Sequence, residues 1–269
     1  RTASVSETSL FNPDALARSN QRWRAGTAPA APPDRVGCDP AREGGDDPCA
    51  APAWGESAEA LLRAYHEAQL RGPEAVAELQ RTRRIRVGEV AVLPKGDGPT
   101  VANALVARWP GVPFTVDDGG VGTSPIDHLR TVIGAQVGPV SFGGTPPSPP
   151  PGGQQAENMR THMYLLLAML TARDLADLPP DIALTEELLA QRVEYRSRSV
   201  AALHGRTRVT SVLLESKDKV KARIGRSPDR ADAVVLAVTE PVAVAAAGVA
   251  GDGGDRAHYG RMRARYGRA

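Results

Sequence analysis

Two short apolar runs in this chain empty directly into aspartate: Val36-Gly37-Cys38 runs into Asp39-Pro40, and residues 112–116 run into Asp117-Asp118-Gly119-Gly120. A third acidic position, Asp229 with Asp232, stands at the head of the strongly apolar segment 231–237. Short apolar runs bounded by turn residues read as strands, and segments of helical period between them read as crossover helices. This alternation predicts an α/β fold, in which residues at the carboxyl ends of different strands are gathered along one edge of the sheet. Carboxylates gathered there repel one another unless a cation lies between them.

The remaining elements follow from periodicity. Strands are predicted over residues 49–54, 85–93, 137–142 and 209–215, although Pro48 and Pro52 read against a central position for the first of these. Helices are predicted over 56–84 with a break at Gly72-Pro73, and over 99–108, 124–130, 155–172, 185–191 and 229–238. Thr185 reads as the cap of the fifth, with Glu187 near its start. Aromatic residues are only 4% of the chain, against 27 Gly and 23 Pro, so the core must be built from Val, Leu, Ile and Ala with long irregular connections. Residues 1–34 turn Ala/Pro-rich after a helical pattern over 9–23 and are expected to form an extended linker or arm. Residues 35–245 form the folded domain, and the Gly/Arg-rich tail 246–269 is expected to be disordered. A polar turn is expected over 42–47.

Several function classes fall away. No apolar run reaches the roughly 18 residues of a membrane span, since the longest candidate, 231–250, is broken by Asp232, Thr239, Glu240 and Pro241. No phosphate-binding GxxxxGK[ST] loop is present, so the chain is not expected to hydrolyse ATP. Cys38 and Cys49 are too few for a four-cysteine zinc site and read as reduced thiols of a cytoplasmic protein. Net charge is only +2, but Lys217, Lys219, Lys221, Arg223 and Arg226 cluster before the last helix, as either a solvated face or a polyanion contact.

Asp-Gly pairs are ordinary turn residues, and an acid after Ser227-Pro228 is ordinary in a first helical turn. Asp232 is different, because a carboxylate inside Ala231-Asp232-Ala233-Val234-Val235-Leu236-Ala237 is buried and needs a partner. Hard oxygen ligands converging from separate elements suit Mg²⁺ or Mn²⁺.

The segment Gly225-Arg226-Ser227-Pro228-Asp229-Arg230-Ala231-Asp232-Ala233-Val234-Val235-Leu236-Ala237 resembles the closing motif of phage terminase large-subunit nuclease domains. Residues 36–47 are similar to that family's first strand and turn, and residues 115–122 with Asp127-His128-Leu129 to its second acidic strand and following helix. Val140-Ser141-Phe142-Gly143, Asn158-Met159-Arg160, residues 184–189 and Ser216-Lys217-Asp218 follow in the family's order. The resemblance implies a ribonuclease H-like mixed central sheet flanked by helices. It implies an endonuclease that cuts double-stranded DNA during phage genome packaging by two-metal phosphodiester hydrolysis. Asp39, Asp117 and Asp232 are then the metal-binding catalytic carboxylates, with Asp229 an accessory and two Mg²⁺ or Mn²⁺ ions the cofactor. Lys217, Lys219, Lys221, Arg223 and Arg226 become contacts to DNA phosphates. The implied partners are the terminase small subunit and the portal protein, in the host cytoplasm, with the family's ATPase domain absent from this chain. The competing readings are a catalytically silent DNA-binding or docking module of the packaging motor, and another ribonuclease H-like nuclease such as a resolvase.

Overall fold

The computed structural model describes residues 8–40, 46–119, 123–202 and 205–239. Most of the turn expected over 42–47, and the whole tail 246–269, lie outside these residues. The core is a seven-stranded mixed sheet. Its members are β2 (Arg35–Asp39), β3 (Cys49–Trp54), β4 (Ile85–Val87), β5 (Ala91–Val92), β6 (Phe114–Asp117), β7 (Val137–Val140) and β8 (Ala176–Asp177). They run in the order β7-β6-β2-β3-β4-β8, with β5 paired to β3. Pairs β2–β6, β6–β7 and β4–β8 are parallel, and β3 is antiparallel to its neighbours. Pro52 is tolerated because it stands opposite the gap between β4 and β5, where the ladder is interrupted and no N–H is needed from it.

Helices cover both faces. On one face lie α1 (Pro13–Ala25), α2 (Ala58–Arg71), α6 (Met159–Ala172) and α9 (Asp229–Val238), packed over a large core that includes Leu61, Tyr164, Leu167 and Val235. On the other lie α4 (Gly98–Arg108) and α5 (Thr123–Asp127), the latter continuing as a π-helical turn over His128–Ile133, with Leu105, Phe114, Val116 and Leu129 between them. Helices α3 (Pro73–Thr82), α7 (Ile182–Leu189) and α8 (Lys217–Ile224) complete the set, and Gly72-Pro73 breaks α2 from α3 as expected. No described helix is long and apolar enough to cross a membrane.

Helix α9 lies on β2 more closely than side chains allow. A Cβ at Gly37 would meet Ala233 O and Ala237 N at 2.3 Å, so the helix backbone rests directly on the strand. Arg35, on the same strand, ties the far end of α9 by donating from its Nε to the carbonyl of Ala237.

Several elements differ from expectation; α8 and β8 have no counterpart among the predicted elements, and the strand expected over 85–93 is divided into β4 and β5. The helical pattern read over 9–23 is a helix at Pro13–Ala25, docked on the domain rather than part of an extended arm. Asn12 caps it, Ser19 Oγ donates to Ala176 O at 2.7 Å, and Arg22 pairs with Asp174 and Asp177. The buried Phe11, Ala15 and Leu16 supply the apolar face that makes docking favourable. Helix α7 is capped by Asp181 rather than Thr185, whose hydroxyl instead donates to Asp181 O. Strand β9 (Arg192–Ala202) has no counterpart in the predicted elements; it pairs with β10 (Gly205–Leu214) and with β1 (Thr8–Ser9) in a second, antiparallel sheet.

Candidate functional site

Asp39 closes β2 and Asp117 closes β6. These strands are parallel with Cys38 opposite Val116, so the two aspartates that follow stand side by side at the same level of the sheet. Cys38 and Val116 pack into the α4 core. Alternation therefore turns both carboxylates toward the face that carries α9.

Asp232, in the first turn of α9, meets them there. It is fully buried, and its Oδ1 accepts hydrogen bonds from the Tyr164 hydroxyl at 2.7 Å and Arg160 Nε at 3.1 Å, both from α6. Its Oδ2 accepts no aligned hydrogen bond. That oxygen instead forms an ion pair, 2.7 Å from the Nζ of Lys217, which also lies 2.9 Å from Asp39 Oδ2. The ammonium thus bridges the end of β2 and the start of α9, beside the Phe142 ring.

Asp117 Oδ1 accepts from the Gly119 amide, and Asp118 is half-buried on the other side of the chain, its own amide donating to Val140 O. Asp229 Oδ2 accepts the amide of Asp47, which anchors the segment entering β3, and the Lys217 charge still reaches it.

Burial is the largest influence on every carboxylate here. It pushes Asp39 up to about 7 against the pull of Lys217, with Asp232 and Asp117 adding to the rise. It raises Asp117 and Asp229 as well. Asp232 also feels burial first, but Arg160 and Lys217 outweigh it and hold the carboxyl below its ordinary range. Burial opposes the charge on Lys217, yet Asp232 and Asp39 hold its pKa well above the ordinary lysine value. Among the described residues three carboxylates therefore share two cations, Lys217 and Arg160, so the acids outnumber the positive charges paired with them.

Among the described residues no three His, Cys, Asp or Glu side chains stand ready as a metal cage. The donor set nevertheless suits a hard divalent cation: it is all oxygen, it is short of positive charge, and Asp232 Oδ2 is a buried acceptor without an aligned donor. Asp39, Asp117 and Asp232 are the residues that could hold such an ion.

The five basic residues separate by position. Lys217 points into the acidic site. Lys219 and Lys221 stay half-exposed on α8, paired with Glu194 and Asp46. Arg223 binds Glu215 and the Ala190 carbonyl, and Arg226 binds Glu186, Glu187 and the Ala183 carbonyl, so both tie the segment around α8 to α7. Sequence reasoning missed Arg160, Tyr164 and Glu187 as supports of the acidic site. The first two carried a signal, being polar residues four apart within an otherwise apolar helical face.

No family model and no curated protein matches the chain. Solved structures do. The nuclease domain of the large terminase subunit gp2 of bacterial virus Sf6 superposes with a TM-score of 0.56 at 17% identity, covering 87% of this chain and 100% of that one. A lysine-to-alanine variant of the same domain, with manganese and beta-thujaplicinol, gives a TM-score of 0.55 at 14% identity over the same shares. A calcium-bound structure of the variant gives 0.54 at 16% identity, again covering 87% of this chain and all of the other. With its mixed sheet, its two helical layers and aspartates at the ends of adjacent strands, the chain has the ribonuclease H-like fold of phage large terminase nuclease domains.

Proposed function

We propose that this chain is a metal-dependent endonuclease domain that cuts double-stranded DNA during phage genome packaging, as part of a terminase large subunit. The observation that carries the reading is the meeting of Asp39, Asp117 and Asp232, from three separate elements, in a buried cluster short of positive charge. Asp39, Asp117 and Asp232 hold two Mg²⁺ or Mn²⁺ ions, with Asp229 in support; structures of the Sf6 domain carry manganese in one case and calcium in another. Two such ions supply an activated water and stabilise the leaving oxygen of a phosphodiester.

The chain's own residues prepare that chemistry. Tyr164 and Arg160 fix one oxygen of Asp232 and leave the other facing Asp39. Lys217 keeps the acids compatible until a cation arrives, and its ammonium is then available to the charge of the phosphate. Lys219 and Lys221 reach flanking phosphates, because exposed ion pairs are weak and exchange readily. The terminase small subunit, the portal protein and an ATPase domain are the partners this reading implies, in the cytoplasm of the infected host.

A second reading, a silent DNA-docking module, is favoured by one observation: Lys217 already pairs with both Asp39 and Asp232. Plasmid cleavage by the purified chain with Mn²⁺, Mg²⁺ or EDTA separates the two. Metal-dependent nicking or linearisation, lost in Asp39→Ala and Asp232→Ala, is the expected result. A folded protein that binds DNA and cuts it with neither metal establishes the docking module instead.

A further inference from the structure

Helix α9 begins without a cap of its own. Its N-cap residue is Pro228, which has no side-chain oxygen and makes no capping hydrogen bond. The first turn of any helix leaves N–H groups without intrahelical acceptors, and a buried orphan amide is costly. Here the third helical amide, that of Ala231, donates to Glu187 Oε2 on α7 at 2.9 Å. Glu187 is only 2% exposed, and its other oxygen, Oε1, accepts from Arg226 Nε at 3.3 Å. A neighbouring helix thus provides the carboxylate that a capping box would supply from within α9, placed where the helix dipole favours negative charge.

The amide that Glu187 holds belongs to the residue directly before Asp232. The rest of α9 is fixed by other means: Gly37 seats its middle on β2 and Arg35 ties its last turn. The first turn, which carries both Asp229 and Asp232, is tied to α7 through Glu187 and through the ion pair of Arg230 with Asp181 at its cap. We propose that Glu187 is a positioning residue for the metal site, setting the first turn of α9 so that Asp232 Oδ2 faces Asp39. The proposal rests on the nuclease reading, and it deepens that reading by giving α7 a part in the site.

Three substitutions separate this role from simple structural support. Glu187→Gln keeps an oxygen at the same reach. Glu187→Asp keeps the charge but falls a methylene short of Ala231, and Glu187→Ala removes both. Mn²⁺ binding is measured by titration calorimetry on the full chain, beside Asp232→Ala, with circular dichroism and melting temperature as controls for folding. Glu187→Gln should bind Mn²⁺ as the wild type does, whereas Glu187→Asp and Glu187→Ala should lose about tenfold in affinity, as residues that orient a metal ligand commonly do. In cleavage assays the Asp variant should lower kcat while leaving KM for DNA unchanged. Equal Mn²⁺ affinity in wild type and a folded Glu187→Asp overturns the proposal. Absence of Mn²⁺ binding by the wild type itself overturns the nuclease reading, and the proposal falls with it.

Discussion

Lys217 shows how far one side chain's environment can depart from that of its neighbours. Along the chain it is one of several alternating cations, and Lys219 two residues on is more than half exposed at 55%. The head of α8 aims Lys217 inward instead, at two carboxylates that have few other sources of positive charge. Removing one member of a buried ion pair leaves an uncompensated charge, so Lys217→Ala should destabilise the metal-free protein by about 3 kcal/mol. Urea denaturation with and without Mn²⁺ checks this, and the ion should restore more stability to the variant than to the wild type because it replaces the missing charge. Tyr164→Phe tests the opposite oxygen of Asp232. Losing a hydrogen bond to a buried carboxylate should cost about 2 kcal/mol, again read from the urea midpoint, with the fold retained.

Among the elements, the seating of α9 on β2 decides whether the acids meet at all. Gly37→Ala would drive a methyl group into the backbone of Ala233 and Ala237, and the helix would have to lift. The expected result is a loss of about 3 kcal/mol together with weaker Mn²⁺ binding, since Asp232 moves with its helix. Unchanged stability in that variant would show that α9 does not bear on the strand so closely. The helix α1 acts at longer range: Phe11, just before it, packs edge-on against Tyr164 with ring centroids 6.4 Å apart, and Tyr164 holds Asp232. Deleting residues 1–26 should therefore lower the melting temperature and loosen metal binding, although none of the described residues among them hydrogen-bonds to the acidic cluster. Thermal melts and Mn²⁺ titration of the truncated chain measure both effects.

At the scale of the whole molecule, the pH dependence of stability reports the same accumulation of buried acid. Asp39 and Glu187 are both pushed up to about 7, from ordinary values of 3.8 and 4.5. A carboxyl raised by folding binds its proton more tightly in the native state, so its stabilisation is complete below the unfolded value and is lost as pH rises through the folded one. Asp232, held low by Arg160 and Lys217 against burial, works the other way and loses its contribution only in stronger acid. Melts in EDTA should consequently give a higher melting temperature at about pH 5 than at about pH 8. Mn²⁺ should shrink or reverse that difference, because a metal binds the deprotonated acids. A metal-free melting temperature that rises toward alkaline pH would contradict the burial assigned to Asp39 and Glu187.

The sequence by itself determined the α/β class, the strand ends at Asp39 and Asp117, and the anomaly of an aspartate inside the apolar helix α9. Each of these is a local pattern: a short apolar run before an acid, or a charge where helical period demands a hydrophobe. Tertiary structure alone decided the rest. The register of β2 against β6 put two aspartates on one level, and the missing side chain of Gly37 let α9 reach them. Packing made Lys217 part of the site, while it set Arg223 and Arg226 to tie the segment around α8 to α7. It also docked the helix α1 onto the domain, and set Glu187 against the start of α9. Most of these contacts join residues far apart in the chain, 178 positions for Lys217 and Asp39 and 39 for Arg226 and Glu187, although Arg223 and Glu215 are only 8 apart. Periodicity and composition describe what a segment prefers over a few turns, whereas partner choice across such separations is fixed only when the whole core closes.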